Sequence, residues 1–370
     1  MDNRHVLFGL HQLPGIGWKT LRLITERFEQ LDHIRTLEAA DWQQLGFTPV
    51  RAAQLHQTIA AHENISESWL EQQLARYEQH GIQWVTVWDD DYPSMLKETA
   101  DPPWLLYMKG DKSRLHTLSV GVVGTRTPTV YGKTTAERLS EELAASGICV
   151  VSGLARGIDS QAHIGALRGR GSTIAVLGHG LDHVYPAENK QLFLRIASSG
   201  LLLTEYPLGT KPVAGLFPQR NRIIAGLSEG VMVVEAAVRS GSLITAELAL
   251  DYSRDVFAIP GPINSPKSQG VLQLLKSGAK LVTSASDIME EYAGRLDMEP
   301  STHMPYTNEP NTALTKDERR ICDLLANGPL TIDQLLMHTQ FSFGHLHAVL
   351  INLLMMRRIV ELPGSAYTIT

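Results

Sequence analysis

Five arginines stand where apolar runs give way to small residues: Arg126, Arg156, Arg220, Arg222 and Arg239. Gly124 and Thr125 precede Arg126, Ser152 and Gly153 lead to Arg156 and Gly157, and Ser240, Gly241 and Ser242 follow Arg239. A guanidinium is a forked donor suited to phosphate oxygens, and small residues at a helix start let backbone N–H groups approach an anion. Taken singly, each arginine equally suits a salt bridge to a neighbouring helix. Five at matching positions suit a chain of phosphates better than one cofactor. The segment FPQRNRIIAGLS, Phe217 to Ser228, adds Gln219 and Asn221, amides able to read a base edge, and Phe217, a ring able to stack on a base. In the alternative, Phe217 and Pro218 pack inside and Asn221 caps a helix that begins there.

Other chemistries fit less well. His163, His179 and His183 fall near the ends of apolar runs, as do the acids Asp159, Asp182, Glu205, Glu235 and Glu247. Yet neither Ser152 nor Ser242 lies in a nucleophile elbow, and no histidine pair has metal-ligand spacing. Asp159, just after a glycine turn, reads as a helix cap or a loop-closing acceptor. Gly132-Lys133-Thr134-Thr135 lacks the upstream glycine of a nucleotide-binding loop, and Gly124-Thr125-Arg126 is no dinucleotide fingerprint. Asp89-Asp90-Asp91 matches no defined metal site and reads as a solvated turn. The residues demand no reaction, no metal and no cofactor.

Such turns need a scaffold that gathers them. From Leu118 to Val282 the chain repeats an apolar run, a turn of small residues and a helix, with runs starting at Ser119, Ile148, Thr173 and Val231. Each run is continuously apolar, as in a parallel sheet covered on both faces. In doubly wound sheets ligands sit beyond the carboxyl ends of the strands. The expectation is an α/β fold: an extended Rossmann-like, doubly wound, mainly parallel sheet over residues 81–292, with the turns sharing one crevice. Two short strands open it, WVTV and WLLYMKG. Near its end, a helix with the stripe Val271, Leu272, Leu274 and Leu275 precedes a last strand. That stripe is core or, at a sheet edge, a two-fold contact.

The flanks differ. Residues 1–80 read as a helical, helix-hairpin-helix or SAM-like domain, with the hairpin in LHQLPGIGWKTLRLITERF, Leu10 to Phe28. Gly15 and Gly17 there offer backbone N–H groups to a phosphate. Few Lys or Arg flank them, so a structural hairpin or a protein contact is the competing reading. Residues 293–312 are polar and proline-containing, a linker. Residues 313–370 read as a winged helix: helices from Lys316, Ile332 and Ser342, then a hairpin turning at Pro363-Gly364. Its third helix carries no Lys or Arg before Arg357-Arg358, and the segment holds five basic and five acidic residues. Protein contact or weak nucleic-acid binding suits it as well as base readout.

At 370 residues, 43% hydrophobic and 19% charged, the chain suits a soluble protein of two or three domains. It shows no bilayer-length apolar run and no signal pattern, so the cytoplasm is expected and no membrane partner. Cys149 and Cys322 lie in separate apolar segments and read as thiols rather than a disulfide. The net charge of −6 argues against a polyanionic partner, but residues 111–290 hold 18 Lys and Arg against 15 Asp and Glu, so the acidity lies elsewhere.

Together these segments resemble the DprA/Smf family, DNA-processing proteins of bacterial natural transformation. The likeness rests on VGTR (123–126), SGLARGIDSQAH (152–163), AVLGHGLDHVYPAENK (175–190) and TEYPLG (204–209). FPQRNRIIAGLS, VVEAAVRSGSLITA (233–246) and IPGPINSPKSQGVLQLLKSGA (259–279) continue it. The resemblance implies a homodimer that binds single-stranded DNA, protects it and loads the recombinase RecA onto it, with no catalytic activity. It implies a phosphate pocket built from Gly124 to Arg126, Ser152 to Gly157 and Arg239 to Ser242, with Lys190 and Arg220 to Arg222 as further candidates. Dimer and recombinase contacts would fall near 260–279. Two other classes stay open. The chain is also similar to Rossmann-like phosphoribohydrolases in placing RSGSLITAE, with Glu247, where they carry PGGxGTxxE, but the double glycine and the GT are absent. An adaptor would contact RecA through acidic flanking domains without touching DNA.

Overall fold

Nine strands of the described residues form one sheet: β1 Gln83–Thr86, β2 Leu105–Gly110, β3 Ser119–Val123, β4 Cys149–Ser152, β5 Thr173–Leu177, β6 Leu201–Thr204, β7 Gly230–Val233, β8 Asp255–Ala258 and β9 Lys280–Leu281. The computed structural model describes residues 2–61, 65–295, 314–326, 328–356, 358–362 and 366–369. Strand order is β1-β2-β6-β5-β4-β3-β7-β8-β9. Pairing is parallel from β6 through β9, and β1 and β2 extend that sheet antiparallel. Every residue of β3 through β7 is buried, which explains their unbroken apolar character.

Side chains alternate between the two faces. Val120, Val122, Val150 and Met232 pack under Ala136 and Leu139 of the helix Val130–Ala145 and under Ile158 and Ala162 of the helix Ile158–Ala166. Val151, Val176, Val231 and Val233 face Ile223 and Ile224 of the helix Leu216–Leu227 and Ala246 and Ala249 of the helix Gly241–Asp251. Each such fully buried aliphatic side chain stabilises the fold by about 1.5–3 kcal/mol. The winding reverses at β3, whose neighbours are β4 and β7.

The chain divides into two units, Met1–Met298 and Glu299–Thr370. The N-terminal helices belong to the first. Phe8 and Leu10 of the helix Asn3–Gln12 share a core with Tyr107 and Leu177 of the sheet. Tyr77 donates to Gln12 at 2.7 Å and accepts from the Leu208 N–H at 2.9 Å, fastening helix to sheet. Of the acidic triplet, Asp89 pairs with Arg4 of that helix and Asp91 with Lys112 just beyond β2, each at 2.9 Å.

The second unit contains helices Lys316–Leu325, Ile332–Thr339 and Phe343–Met355, with strands β10 Leu330–Thr331, β11 Ile359–Leu362 and β12 Ala366–Ile369 ordered β10-β12-β11. Capping boxes at Thr315 with Glu318, and at Thr331 with Gln334, fix the first two helix starts. Most of the expected linker, the Pro363-Gly364 turn and Arg357 lie outside the described residues. Among the described residues no helix is long and apolar enough to cross a membrane. Both cysteines are free, and burial pushes the Cys149 thiol up to about 12.

Candidate nucleic-acid interface

The loops after β3, β4 and β7 converge at the point where the winding reverses. The Thr125 N–H donates to Glu235 O at 2.7 Å, and the Ile158 N–H donates to Thr125 O at 3.2 Å. Gly157, at φ +80°, allows this approach: a Cβ there would stand 2.4 Å from Thr125 O. The Glu235 carboxylate, buried at the end of β7, accepts from the Thr129 N–H at 2.9 Å and from its hydroxyl. It thereby packs its carboxylate against the start of the helix Val130–Ala145. What remains open is a cavity of about 350 Å³ bounded by Gly124 to Arg126, Phe217, Asn221 and Ser240 to Ser242. Ser240 caps the helix Gly241–Asp251 at its rim.

Beneath the cavity lies a buried polar network. Asp159 accepts from the N–H groups of Gly153 and Ala155 at 3.1 and 3.3 Å, so it closes the loop, while Gly157 holds the cap position. Arg220 is 4% exposed and donates to the carbonyls of Gly153 and Val176. Burial lowers its pKa to about 10, opposed by Asp159, so it stays charged at neutral pH. Burial likewise raises the Asp159 carboxyl above its ordinary range, with Arg220 opposing. His163 is fully buried and held down to about 3 by burial, then by Arg220. Thr173 Oγ1 donates to Val150 O, so it accepts the His163 Nδ1–H at 2.7 Å. Nε2 then accepts the Leu154 N–H at 3.2 Å, which makes the ring a neutral spacer.

The expected site residues therefore separate into groups. Gly124, Thr125, Arg126, Phe217, Asn221, Ser240, Gly241 and Ser242 border the cavity, and Arg239 precedes its rim. Arg126 and Arg239 are exposed, and among the described residues neither enters an ion pair. Arg156 is exposed and paired with Glu188 at 2.9 Å. Lys190 is exposed at the start of the helix Lys190–Ser199 and borders neither this cavity nor the adjoining recess. Ser152 is buried, its hydroxyl donating to Val122 O at 2.6 Å, and Gly153 is buried against the Arg220 guanidinium. Their place in the core makes them supports for the crevice floor. Arg222 points away, bonded to Glu205 at 2.5 Å and Asp101 at 3.3 Å. Asn221 caps nothing: the helix begins at Leu216, and its amide instead reaches Gly241 O at 3.4 Å.

Phe217 is neither a free ring nor simply core. It stacks on Tyr185 with centroids 5.2 Å apart and planes inclined by 24°, and the Arg126 guanidinium lies 5.9 Å from its centroid. Tyr185 is 45% exposed and was not apparent from the sequence as a site residue. Its one local signal is the Tyr185-Pro186 step, which is cis. These rings wall a smaller recess of about 70 Å³ that also touches Arg126, Gly178 and His179.

A mainly parallel, doubly wound sheet with a crevice at its switch point, bordered by the loops after β3 and β7, defines an α/β protein of Rossmann-like class. The comparisons make the class specific. The family described as DNA recombination-mediator protein A matches residues 83–293, and the DprA winged helix domain matches residues 305–365. The Protein Smf of Synechocystis is 34% identical over 393 aligned residues, covering 96% of each chain. The DNA processing protein DprA of Bacillus subtilis is 46% identical across 60% of this chain and 75% of its own. The crystal structure of DprA from Streptococcus pneumoniae superposes with a TM-score of 0.67 at 37% identity, over 79% of this chain and 99% of that one. DprA from Helicobacter pylori, whose structure is described for its single-stranded DNA binding mode, gives 0.52 at 35% identity over 57% and 96%. The chain belongs to the DprA/Smf family of DNA-processing proteins.

Proposed function

We propose that the crevice at the β3–β7 switch point binds single-stranded DNA, and that the chain protects this DNA and delivers it to the recombinase RecA during transformation. It does so as a homodimer in the cytoplasm, as a binding protein rather than an enzyme. The observation that carries this reading is the charge layout. Arg126 at the crevice and Arg239 just before its serine rim are exposed and, among the described residues, in no ion pair, whereas the interior cation Arg220 is already engaged by carbonyls and faces Asp159. Exposed arginines without a partner gain by meeting phosphate, and each contact releases a counterion. The Tyr185–Phe217 stack beside Arg126 offers a plane to an unpaired base, which a duplex keeps hidden in its own stack. The Helicobacter pylori relative supports the choice of ligand. In this reading residues 1–80, 81–292 and 313–370 are three sequence modules, the first packed on the second, with the central one holding the strand.

Competition tests the binding step. Unlabelled poly-dT should displace a labelled oligonucleotide, while thymidine monophosphate and duplex of equal length should not. Displacement by the monophosphate at similar concentration would point instead to a mononucleotide site. For the delivery step, the protein should shorten the lag of RecA filament growth on single strands coated with a single-strand-binding protein. An unchanged lag would remove that part of the proposal.

A further inference from the structure

A second and larger depression adjoins the crevice. It measures about 1200 Å³ and lies between the N-terminal hairpin, at Pro14 to Lys19, and the loop Tyr206 to Thr210, within the first unit. Pro218 and Ile244 border both this groove and the switch-point cavity, so the two form one continuous trough with those residues as the saddle. Ile244 is 40% exposed there.

The lining differs from the crevice in kind. Trp18, Trp104, Tyr206 and Tyr252 are each partly exposed. Trp18 is held by its edge, the indole N–H donating to Pro102 O at 3.2 Å. The charges are largely spent: Arg222 is bound by Glu205 and Asp101, and Tyr252 donates to Asp101 at 3.0 Å. Lys19 adds an exposed cation and Gln219 an exposed amide, while the Gln12 amide is engaged by Tyr77 and Tyr107. Aromatic planes with a single exposed cation match the faces of unpaired bases better than a row of phosphates.

We propose that a polynucleotide strand bound in the crevice continues over Pro218 and Ile244 and lays further unpaired bases in this groove, against Trp18 and Tyr206. The inference rests on the crevice being the single-strand site. It gives the hairpin a role that its sparse basic residues do not reveal, and it makes affinity depend on strand length.

The test compares dT6 with dT20 by fluorescence anisotropy, using wild type, Trp18→Ala/Tyr206→Ala and Arg126→Ala/Arg239→Ala. The aromatic variant should bind dT6 within twofold of wild type and lose ten- to a hundredfold for dT20, with its salt slope unchanged. The arginine variant should lose affinity for both lengths. Equal dT20 binding by wild type and a folded aromatic variant overturns the groove and leaves the crevice standing. Undiminished dT6 binding by the arginine variant overturns the crevice reading itself. Since Trp18 also supports the hairpin, wild type is photo-crosslinked to dT20 carrying 5-iododeoxyuridine at either end. Adducts should map to the hairpin peptide or the 206–210 loop, and adducts confined to crevice peptides contradict the proposal. A groove that instead receives a protein or a second copy of the chain gives neither length dependence nor these adducts.

Discussion

Arg126, Arg220 and Arg239 share one crevice yet differ in what their removal should do. Arg220 is enclosed, donating to two carbonyls beside Asp159. Arg220→Ala leaves two buried carbonyls without their donor and removes the cation facing Asp159, and leaving buried polar groups unsatisfied costs about 1–3 kcal/mol each. Its urea midpoint should fall sharply; a midpoint within experimental scatter of wild type would show that the network is not structural. Arg126→Ala and Arg239→Ala should unfold like wild type, because exposed, unpaired side chains contribute roughly 0.5 kcal/mol or less. Acidity provides a separate check through His163. Its folded pKa of about 3 lies below the ordinary 6.5. Above about pH 6.5 both states are neutral and the shift has no effect on stability. As pH falls toward 3, the unfolded ring takes a proton that the buried ring refuses, so stability declines by at most about 1.4 kcal/mol per pH unit from this group. Denaturant titrations at pH 7.5 and 5.0 should differ accordingly, and less so in His163→Gln. An identical difference in that variant would assign the effect to other groups. The arginine motifs were legible in the sequence, but burial was not: nothing in Gln219-Arg220-Asn221-Arg222 tells that one arginine turns under the crevice and another to Glu205.

At the scale of elements, the crevice is held open by loops sewn to one another. Gly157→Ala tests the stitching. A side chain at φ +80° whose Cβ meets Thr125 O at 2.4 Å must displace the Thr125-Arg126 loop. The variant should be less stable by more than about 1 kcal/mol, and it should bind single-stranded DNA more weakly even where it remains folded. Wild-type affinity would mean that the loop position is not needed for binding. The strands β3, β4, β5 and β7 were legible because burial on both faces leaves unbroken apolar runs, whereas β6, equally buried, was not read as a strand. The helix Leu216–Leu227 was not placed correctly at its start, because Phe217-Pro218 suggests packing and Asn221 suggests a cap. In the fold, Pro218 sits in the first turn, where its missing N–H costs nothing. The third winged-helix helix was legible to within a residue, since Ser342 caps it by accepting from the His345 N–H. The site's aromatic pair was hidden, because Tyr185 lies in the loop after β5 and Phe217 in the first turn of the helix Leu216–Leu227, and the two meet only through the fold.

For the whole molecule, the division after Met298 predicts two independent unfolding events. A chain ending at residue 298 should retain the single-strand affinity of the intact protein within severalfold, and calorimetry of the full chain should resolve a second transition that this shorter chain lacks. Loss of binding on truncation would place part of the site in the winged-helix unit. The N-terminal helices, expected from sequence as a domain of their own, share their core with the sheet, because Phe8 and Leu10 find apolar partners there that an 80-residue helical unit would otherwise have to supply. The central claim is that two exposed arginines at the switch point hold the phosphates of an unpaired strand. The direct measurement is the affinity for a labelled single strand and its duplex across a salt series, for wild type and Arg126→Ala/Arg239→Ala. Wild type should prefer the single strand and lose affinity steeply with salt, and the variant's slope should be flatter by about two, one for each lost contact. Equal binding of duplex, or a variant slope indistinguishable from wild type, would contradict the assignment of the crevice.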